Sequence, residues 1–302
     1  MTSPSFTVKQ KATVWDSTRM FLAGGTAGAV ARTVTAPLDR IKLLFQVQAV
    51  AGSGATAKSY TGIGQAAGKI FREEGVLAFW KGNSVLIARI FPYSAFQLAS
   101  NDTYKRLLAD PLTHELTVAR RLLAGACAGM TATTLTHPLD TVRLRLALPQ
   151  HPYKGAVDAI RTIVRTEGFA ALYKGLVPTL VGVAPYAALN FATYDLAKKL
   201  FYHGEKPQAA WANFLMGAAS GTLAASVCYP LDTVRRRMQM KGKVYQSQGH
   251  AFTTIWATEG LAGFYRGWLA NTLKVVPQNS IRFVAYEAIK QLAGIRKTKT
   301  DT

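Results

Sequence analysis

Three aspartates each stand three residues before a basic side chain: Asp39 before Lys42, Asp140 before Arg143, and Asp232 before Arg235. That spacing puts acid and base on one helix face, where they can enter ion pairs that form and break. Each couple sits in the same phrase, PLDRIKLLFQ at 37–46, PLDTVRLRLA at 138–147 and PLDTVRRRMQ at 230–239. A second charged set recurs alongside it: Asp102 with Lys105, Asp195 with Lys198, and Glu287 with Lys290. Tyr194 and Tyr286 precede the last two, and Asn101 the first. Enzyme chemistry has little to stand on. His114, His137, His151, His203 and His250 show no metal-ligand spacing, and no nucleophile is set beside a base. Cys127 and Cys228 are too few for a disulfide framework or a metal site. Neither catalytic nor metal-binding residues are expected, and the chain reads as a non-enzyme.

The charges belong to a threefold repeat. A second phrase follows each proline phrase: EGVLAFWKG at 74–82, EGFAALYKG at 167–175 and EGLAGFYRG at 259–267. Gly75, Gly168 and Gly260 are 93 and 92 positions apart, and Pro92, Pro185 and Pro277 keep the same intervals. One interval differs: Pro37 to Pro138 is 101 positions, whereas Pro138 to Pro230 is 92. The surplus falls in AVAGSGATA at 49–57, whose Gly, Ser and Ala content reads as an inserted flexible loop. The chain therefore divides into an N-terminal tail (1–17), repeats at 18–110, 111–204 and 205–295, and a C-terminal tail (296–302). Each repeat reads as a long helix through the proline phrase, a short amphipathic helix, and a second long helix. The spans are 18–47, 61–73 and 82–107, then 116–146, 155–166 and 175–201, then 210–240, 248–258 and 267–293.

Composition says what surrounds these helices. The chain is 49% hydrophobic and 17% charged, with 36 basic against 16 acidic residues, a formal balance of +20. Such an excess suits nucleic acid, or an anionic membrane and an anionic solute. The runs Met20–Ala36, Leu122–Thr136 and Phe214–Tyr229 decide for the membrane, because Arg32 is their one charge. A basic nucleic-acid-binding repeat protein would leave those runs unexplained, so nucleic acid is not an expected partner. A helix needs about 20 mostly apolar residues to cross, and these runs reach that only with the polar phrase counted inside. An ionisable group at that depth costs about 2.5–3.5 kcal/mol, so it should face a partner or a water-filled cavity. Six crossings place both termini on one side. Gly24 and Gly28, Gly125 and Gly129, and Gly217 and Gly221 are four apart in register, a spacing that lets helix backbones approach closely.

Over residues 18–293 the chain resembles the mitochondrial carrier family. The family pattern Pro-x-Asp/Glu-x-x-Lys/Arg-x-Lys/Arg is complete in the second and third units, while the first has Leu44 at the second basic position. TVTAPLDRIKLL at 33–44, AGACAGMTATTLTHPLDTVRLRLA at 124–147 and CYPLDTVRRRMQM at 228–240 are most similar to the plastid adenine nucleotide carriers of the thylakoid ADP/ATP type. The resemblance implies an all-α membrane protein of six transmembrane and three short surface helices, a pseudo-threefold barrel around a central cavity. It implies an antiporter of adenine nucleotides across an organellar membrane, working by alternating access. Related adenine-containing anions (3′-phosphoadenosine 5′-phosphosulfate, coenzyme A, ATP-Mg against phosphate) are the alternatives, and a degenerate carrier acting as a proton leak or scaffold is a further one. The plastid envelope or thylakoid is the expected location, with the mitochondrial inner membrane as alternative. Residues 1–15, with Lys9 and Lys11 and no acid, are too little for a transit peptide.

Rotation about the threefold axis then assigns roles. On the matrix side Asp39 should meet Arg143, Asp140 should meet Arg235, and Asp232 should meet Lys42, with Gln46 and Gln239 as braces. Ala147 holds the third brace position and cannot serve. On the opposite side Asp102 should meet Lys198, Asp195 should meet Lys290, and Glu287 should meet Lys105, braced by Tyr194 and Tyr286. Three residues before the repeating prolines stand Arg89, Gly182 and Lys274, the family's solute contact points. Gly182-Val183 is the version associated with adenine nucleotides. Gln97, Asn190 and Arg282 follow those prolines by five. Arg282 is an unmatched cation, so Arg89, Lys274 and Arg282 are the expected phosphate ligands, and Tyr186 could stack on the base. The segments ending at Gly82, Gly175 and Gly267 precede helix N-termini that attract phosphate, and in the family they bind acidic phospholipid such as cardiolipin. No other cofactor is expected. The expected partners are nucleotides and membrane lipids, and the chain should work as a monomer.

Overall fold

The computed structural model describes residues 6–51, 60–110, 116–149, 151–201, 210–240 and 245–292. These residues form helices and turns with no strand. The first unit comprises α1 (Phe6–Ala51), α2 (Ile63–Glu74) and α3 (Asn83–Leu108). The second comprises α4 (Val118–Leu146), α5 (Ala156–Glu167) and α6 (Leu176–Phe201). The third comprises α7 (Ala210–Val227), α8 (Tyr229–Met238), α9 (Gln248–Phe264) and α10 (Trp268–Leu292). Of the expected tails, residues 6–17 are helical, while 1–5 and 296–302 lie outside the described residues. The expected 49–57 loop is helical to Ala51, and its remainder lies outside them too. Among the described residues, only Phe169–Phe201 is long and apolar enough by mean hydropathy to mark a membrane span.

Proline shapes the units differently. α1 and α4 run unbroken through Pro37 and Pro138. Pro37 has no N–H for the Thr33 carbonyl, and Trp80 Nε1 donates to that carbonyl instead, at 2.8 Å. In the third unit the single helix expected at 210–240 is two, divided at Cys228, with Pro230 at the start of α8. Pro230 has no N–H for the Ser226 carbonyl, and here the hydrogen-bond ladder is interrupted at Cys228 instead of running on.

Each unit's last long helix packs chiefly on the next unit's first: α3 on α4, α6 on α7 and α8, α10 on α1. In the first two units the close seams are built by alanine rather than by the glycine pairs. Ala23, Ala27 and Ala31 are 0–2% exposed, and Ala124, Ala128 and Ala132 are fully buried. By contrast, a Cβ on Gly24, Gly28, Gly125, Gly129 or Gly217 would meet nothing within 4 Å. The four-residue spacing was right and the register was off by one, because the alanines turn into the neighbouring helix.

The surface helices are clamped to the gate helices by buried arginines. Arg145 donates to Glu167 through both terminal nitrogens and sends Nε 3.3 Å to the Gln239 carbonyl of the next unit. Arg237 does the same with Glu259 and the Gln46 carbonyl, the latter at 2.9 Å. In the first unit Leu44 leaves no gap. Arg40, one turn earlier, donates to Glu74 at 2.7 Å, to the Ala147 carbonyl at 3.1 Å and to the Ala78 carbonyl. Thr141 and Thr233, which match Arg40 in sequence, donate to the carbonyls of Leu172 and Phe264. One arginine therefore covers two tasks, and Leu44 packs with Ile41, Tyr60 and Ile70 in the space released.

Candidate functional site

Where the proline phrases converge, carboxylates and cations from neighbouring units meet. Arg143 Nη2 lies 3.4 Å from Asp39 Oδ2, Lys42 Nζ donates to Asp232 Oδ2 at 2.7 Å, and Arg235 Nη2 donates to Asp140 Oδ2. Each couple joins two different units, as rotation about the axis demands. Gln46 Nε2 reaches Asp232 at 3.1 Å. Gln239 does not reach its expected couple, because its Oε1 accepts from Arg236 on its own helix at 3.4 Å. Arg236 stands where the other units have Leu43 and Leu144, and it captures the glutamine.

The glycines of the aromatic-basic-glycine phrases serve this layer. Gly82, Gly175 and Gly267 have φ of 80°, 79° and 83°, a left-handed conformation that other residues rarely adopt. An added Cβ would stand 2.7, 2.8 and 2.9 Å from the carbonyls of Arg143, Arg235 and Lys42. Each glycine thus lets its loop touch the backbone of the next unit's gate cation.

At the opposite end the couples are apart. Among the described residues, Asp102, Lys105, Asp195, Lys198, Glu287 and Lys290 form no ion pair. Tyr194 donates to Asn213 at 3.4 Å. Tyr286 joins Gly24, Asn279, Arg282 and Phe283 around a cavity of about 420 Å³. One end of the molecule is closed by charge and the other is not.

A cavity of about 450 Å³ lies against the closed end. Gly182, Val183, Tyr186 and Tyr93 line its apolar part, and Asp232, Lys42 and Arg235 its charged part. Gly182 keeps it open, since Leu231 Cδ1 at 3.9 Å is the single atom within 4 Å of where a Cβ would be. Tyr93 also carries the Arg89 guanidinium over its ring at 5.1 Å. Arg89 and Lys274 are half-buried, whereas Arg282 and Gln97 are exposed. The buried side-chain oxygen of Asn190 has no hydrogen-bond partner among the described residues and faces Gly221. Sequence reading missed Arg32 and Tyr93 as site residues. Arg32 interacts electrostatically with Asp39, Arg89, Asp140 and Arg282, and its signal was in view as the one charge in a neutral run.

The family model described as mitochondrial carrier protein matches residues 15–112, 114–205 and 206–297. A probable chloroplast envelope ADP,ATP carrier protein of Arabidopsis thaliana is 46% identical over 273 residues, covering 90% of this chain and 71% of its own length. The thylakoid ADP,ATP carrier protein of the same plant is 44% identical over 273 residues, covering 90% of this chain and 65% of its own length. A mitochondrial coenzyme A transporter of Xenopus tropicalis is 38% identical over 276 residues, with 88% and 83% covered.

Proposed function

The chain belongs to the mitochondrial carrier family, and on that premise we propose that it exchanges adenine nucleotides of the ADP/ATP kind across a plastid membrane by alternating access. The observation that carries this reading is the Gly182-floored cavity, with a slot for a flat base on one side and cations on the other, shut at one end by ion pairs between units. A nucleotide enters from the open end. Arg32 and Arg282 meet its phosphates, Arg89 and Lys274 lie deeper, and the base enters beside Gly182, Val183 and Tyr186. Gln97 and Asn190 border the same route. Charge-assisted hydrogen bonds from several cations favour a polyanion over a neutral solute. Binding compensates the breaking of Asp39–Arg143, Asp140–Arg235 and Asp232–Lys42 and of the Gln46 brace. The pairs of Asp102, Asp195 and Glu287 with Lys198, Lys290 and Lys105 then close behind the solute, with Tyr194 and Tyr286 beside them. Obligatory exchange follows when the empty protein rarely crosses between the two states.

No catalytic step belongs to this reading, and the protein acts as a monomer. Acidic phospholipid binds at the N-termini of α3, α6 and α10, beside Gly82, Gly175 and Gly267. The membrane is the plastid envelope or thylakoid, as the names of the plant relatives suggest, with the mitochondrial inner membrane as the alternative. Coenzyme A is the second solute to consider, given the 38% identity to a coenzyme A transporter.

The deciding experiment is exchange by purified protein in liposomes loaded with ADP. Uptake of external ATP or ADP that depends on internal ADP and is outcompeted by excess ADP supports the reading. Uptake of coenzyme A or 3′-phosphoadenosine 5′-phosphosulfate with ADP and ATP excluded overturns it.

A further inference from the structure

Two of the cations assigned to the solute are already occupied. Arg89 Nη1 lies 2.8 Å from Asp140 Oδ1, and its Nε donates to Thr136 Oγ1 at 3.1 Å. Lys274 Nζ donates to Asp39 Oδ1. Both carboxylates hold a gate partner on the other oxygen, Arg235 on Asp140 and Arg143 on Asp39. At two corners of the gate, one carboxylate is therefore shared between a gate cation and a solute-site cation. The sharing takes place out of bulk water: side-chain exposure is 1% for Asp140, 11% for Asp39, and 18% for both Arg89 and Lys274.

The third corner is built differently. Asp232 takes Lys42 at 2.7 Å, and its second cation is Arg236 at 3.7 Å on its own helix. No solute-site cation can reach it, because the matching position is Gly182. Arg32 and Arg282, in contrast, form no ion pair among the described residues. An arriving anion thus meets two cations without an ion pair and two that it must win from aspartate. Asp140 and Asp39 belong to different units, so an anionic group that displaces one leaves the other in place.

We propose that Arg89 and Lys274 are release points of the closed gate, freed from Asp140 and Asp39 only by a solute that brings two anionic groups, so that the protein sorts nucleotides by phosphate number at opening rather than at binding. The proposal rests on the adenine nucleotide reading and deepens it. A nucleoside monophosphate is held by Arg32 and Arg282 and can free at most one corner. A diphosphate, a triphosphate, or a nucleotide phosphorylated at two places frees both. Thr136 is a positioning residue here, since its hydroxyl helps hold Arg89 on the gate side.

The test separates binding from turnover on the full chain. In liposomes, AMP should displace ADP with an apparent affinity within about tenfold of ADP itself, yet exchange at least about tenfold more slowly at saturation. AMP exchanged at the ADP rate at saturation overturns the proposal, and this comparison needs no variant. Thr136→Val removes a tie on Arg89 while leaving every charge in place, so it should speed ADP exchange at saturation severalfold with ADP affinity little changed. A slower or unchanged rate at saturation overturns the proposal, since Thr136 would then not be holding Arg89 on the gate. Failure of both nucleotides to bind defeats the adenine reading alone. Inorganic pyrophosphate then carries the comparison against orthophosphate: faster pyrophosphate exchange at saturation in Thr136→Val supports the release points, and a slower or unchanged rate overturns them.

Discussion

Arg40→Thr, followed by the double change Arg40→Thr with Leu44→Arg, asks whether the first unit has moved its clamp by one helical turn. The single change gives Glu74 no arginine and leaves the Ala147 carbonyl without its 3.1 Å donor. Removing one partner of a buried ion pair costs about 3–5 kcal/mol. Lys81 still holds Glu74 at 2.6 Å, although its side chain is 34% exposed, and the new threonine can bond a carbonyl of the segment after Glu74, as Thr141 and Thr233 bond those of Leu172 and Phe264. The lower end, about 3 kcal/mol, is therefore expected. At about 2 °C per kcal/mol for a chain of this size, the thermal midpoint should fall by about 6 °C. The double variant rebuilds the arrangement of Arg145 and Arg237 and should recover all but about 1 kcal/mol. Thermal unfolding of purified protein in detergent reads both. Leu44→Arg alone should destabilise, because it puts a second guanidinium beside Arg40 in an apolar cluster. The reasoning is refuted if the single change moves the midpoint by less than about 2 °C, or if the two changes simply add.

Other outcomes follow from the same geometry. Asp140→Lys should cut nucleotide exchange at least about tenfold, and adding Arg235→Asp should restore part of it, only part because Arg89 then faces a lysine; a complete lack of rescue in liposomes counts against the pairing. Gly182→Leu should fill the base slot and weaken ADP affinity at least about tenfold with little change in thermal midpoint, since Leu231 at 3.9 Å is the one close neighbour; unchanged affinity would remove the slot from the site. Burial pushes the carboxyls of Glu74, Glu167 and Glu259 up, but their bonds to Lys81 and Arg40, to Arg145, and to Arg237 outweigh it and hold all three below the ordinary glutamate value. A lowered folded pKa gives stability that is full above the unfolded value of about 4.3 and is lost as pH falls through the folded value. The clamps should therefore contribute evenly from about pH 6 upward and fade below about pH 4, and Glu167→Gln should flatten part of that acid fall in the midpoint.

What could be read in the residues was whatever three units state together. The gate partners followed because an acid and a base three apart, repeated about an axis, leave one neighbour for each. Arg40 escaped for the same reason, since a column-by-column comparison sees Leu44 as a missing base, whereas a helix surface treats position 40 as the same face one turn away. The glycine pairs misled in register because alanine is also small enough for a close seam, and only packing tells which stripe turns inward. The break at Cys228 depends on how one unit relieves a proline that the other two absorb.

The two gates differ in a way that spacing cannot express. Both are written as three acids and three bases, yet only the proline-phrase end is made, and there three aspartates hold six cations: Lys42, Arg143, Arg235, Arg89, Lys274 and Arg236. Ordinary ion pairing would need three. A local excess of positive charge among half-buried groups is costly while the cavity is empty, and an anionic solute offsets it. The excess cations come from the solute layer and from Arg236, so the closed gate is already charged in the sense that a polyphosphate corrects. An entering nucleotide therefore weakens the gate by taking cations that the aspartates share, and a neutral solute of the same shape has nothing to take.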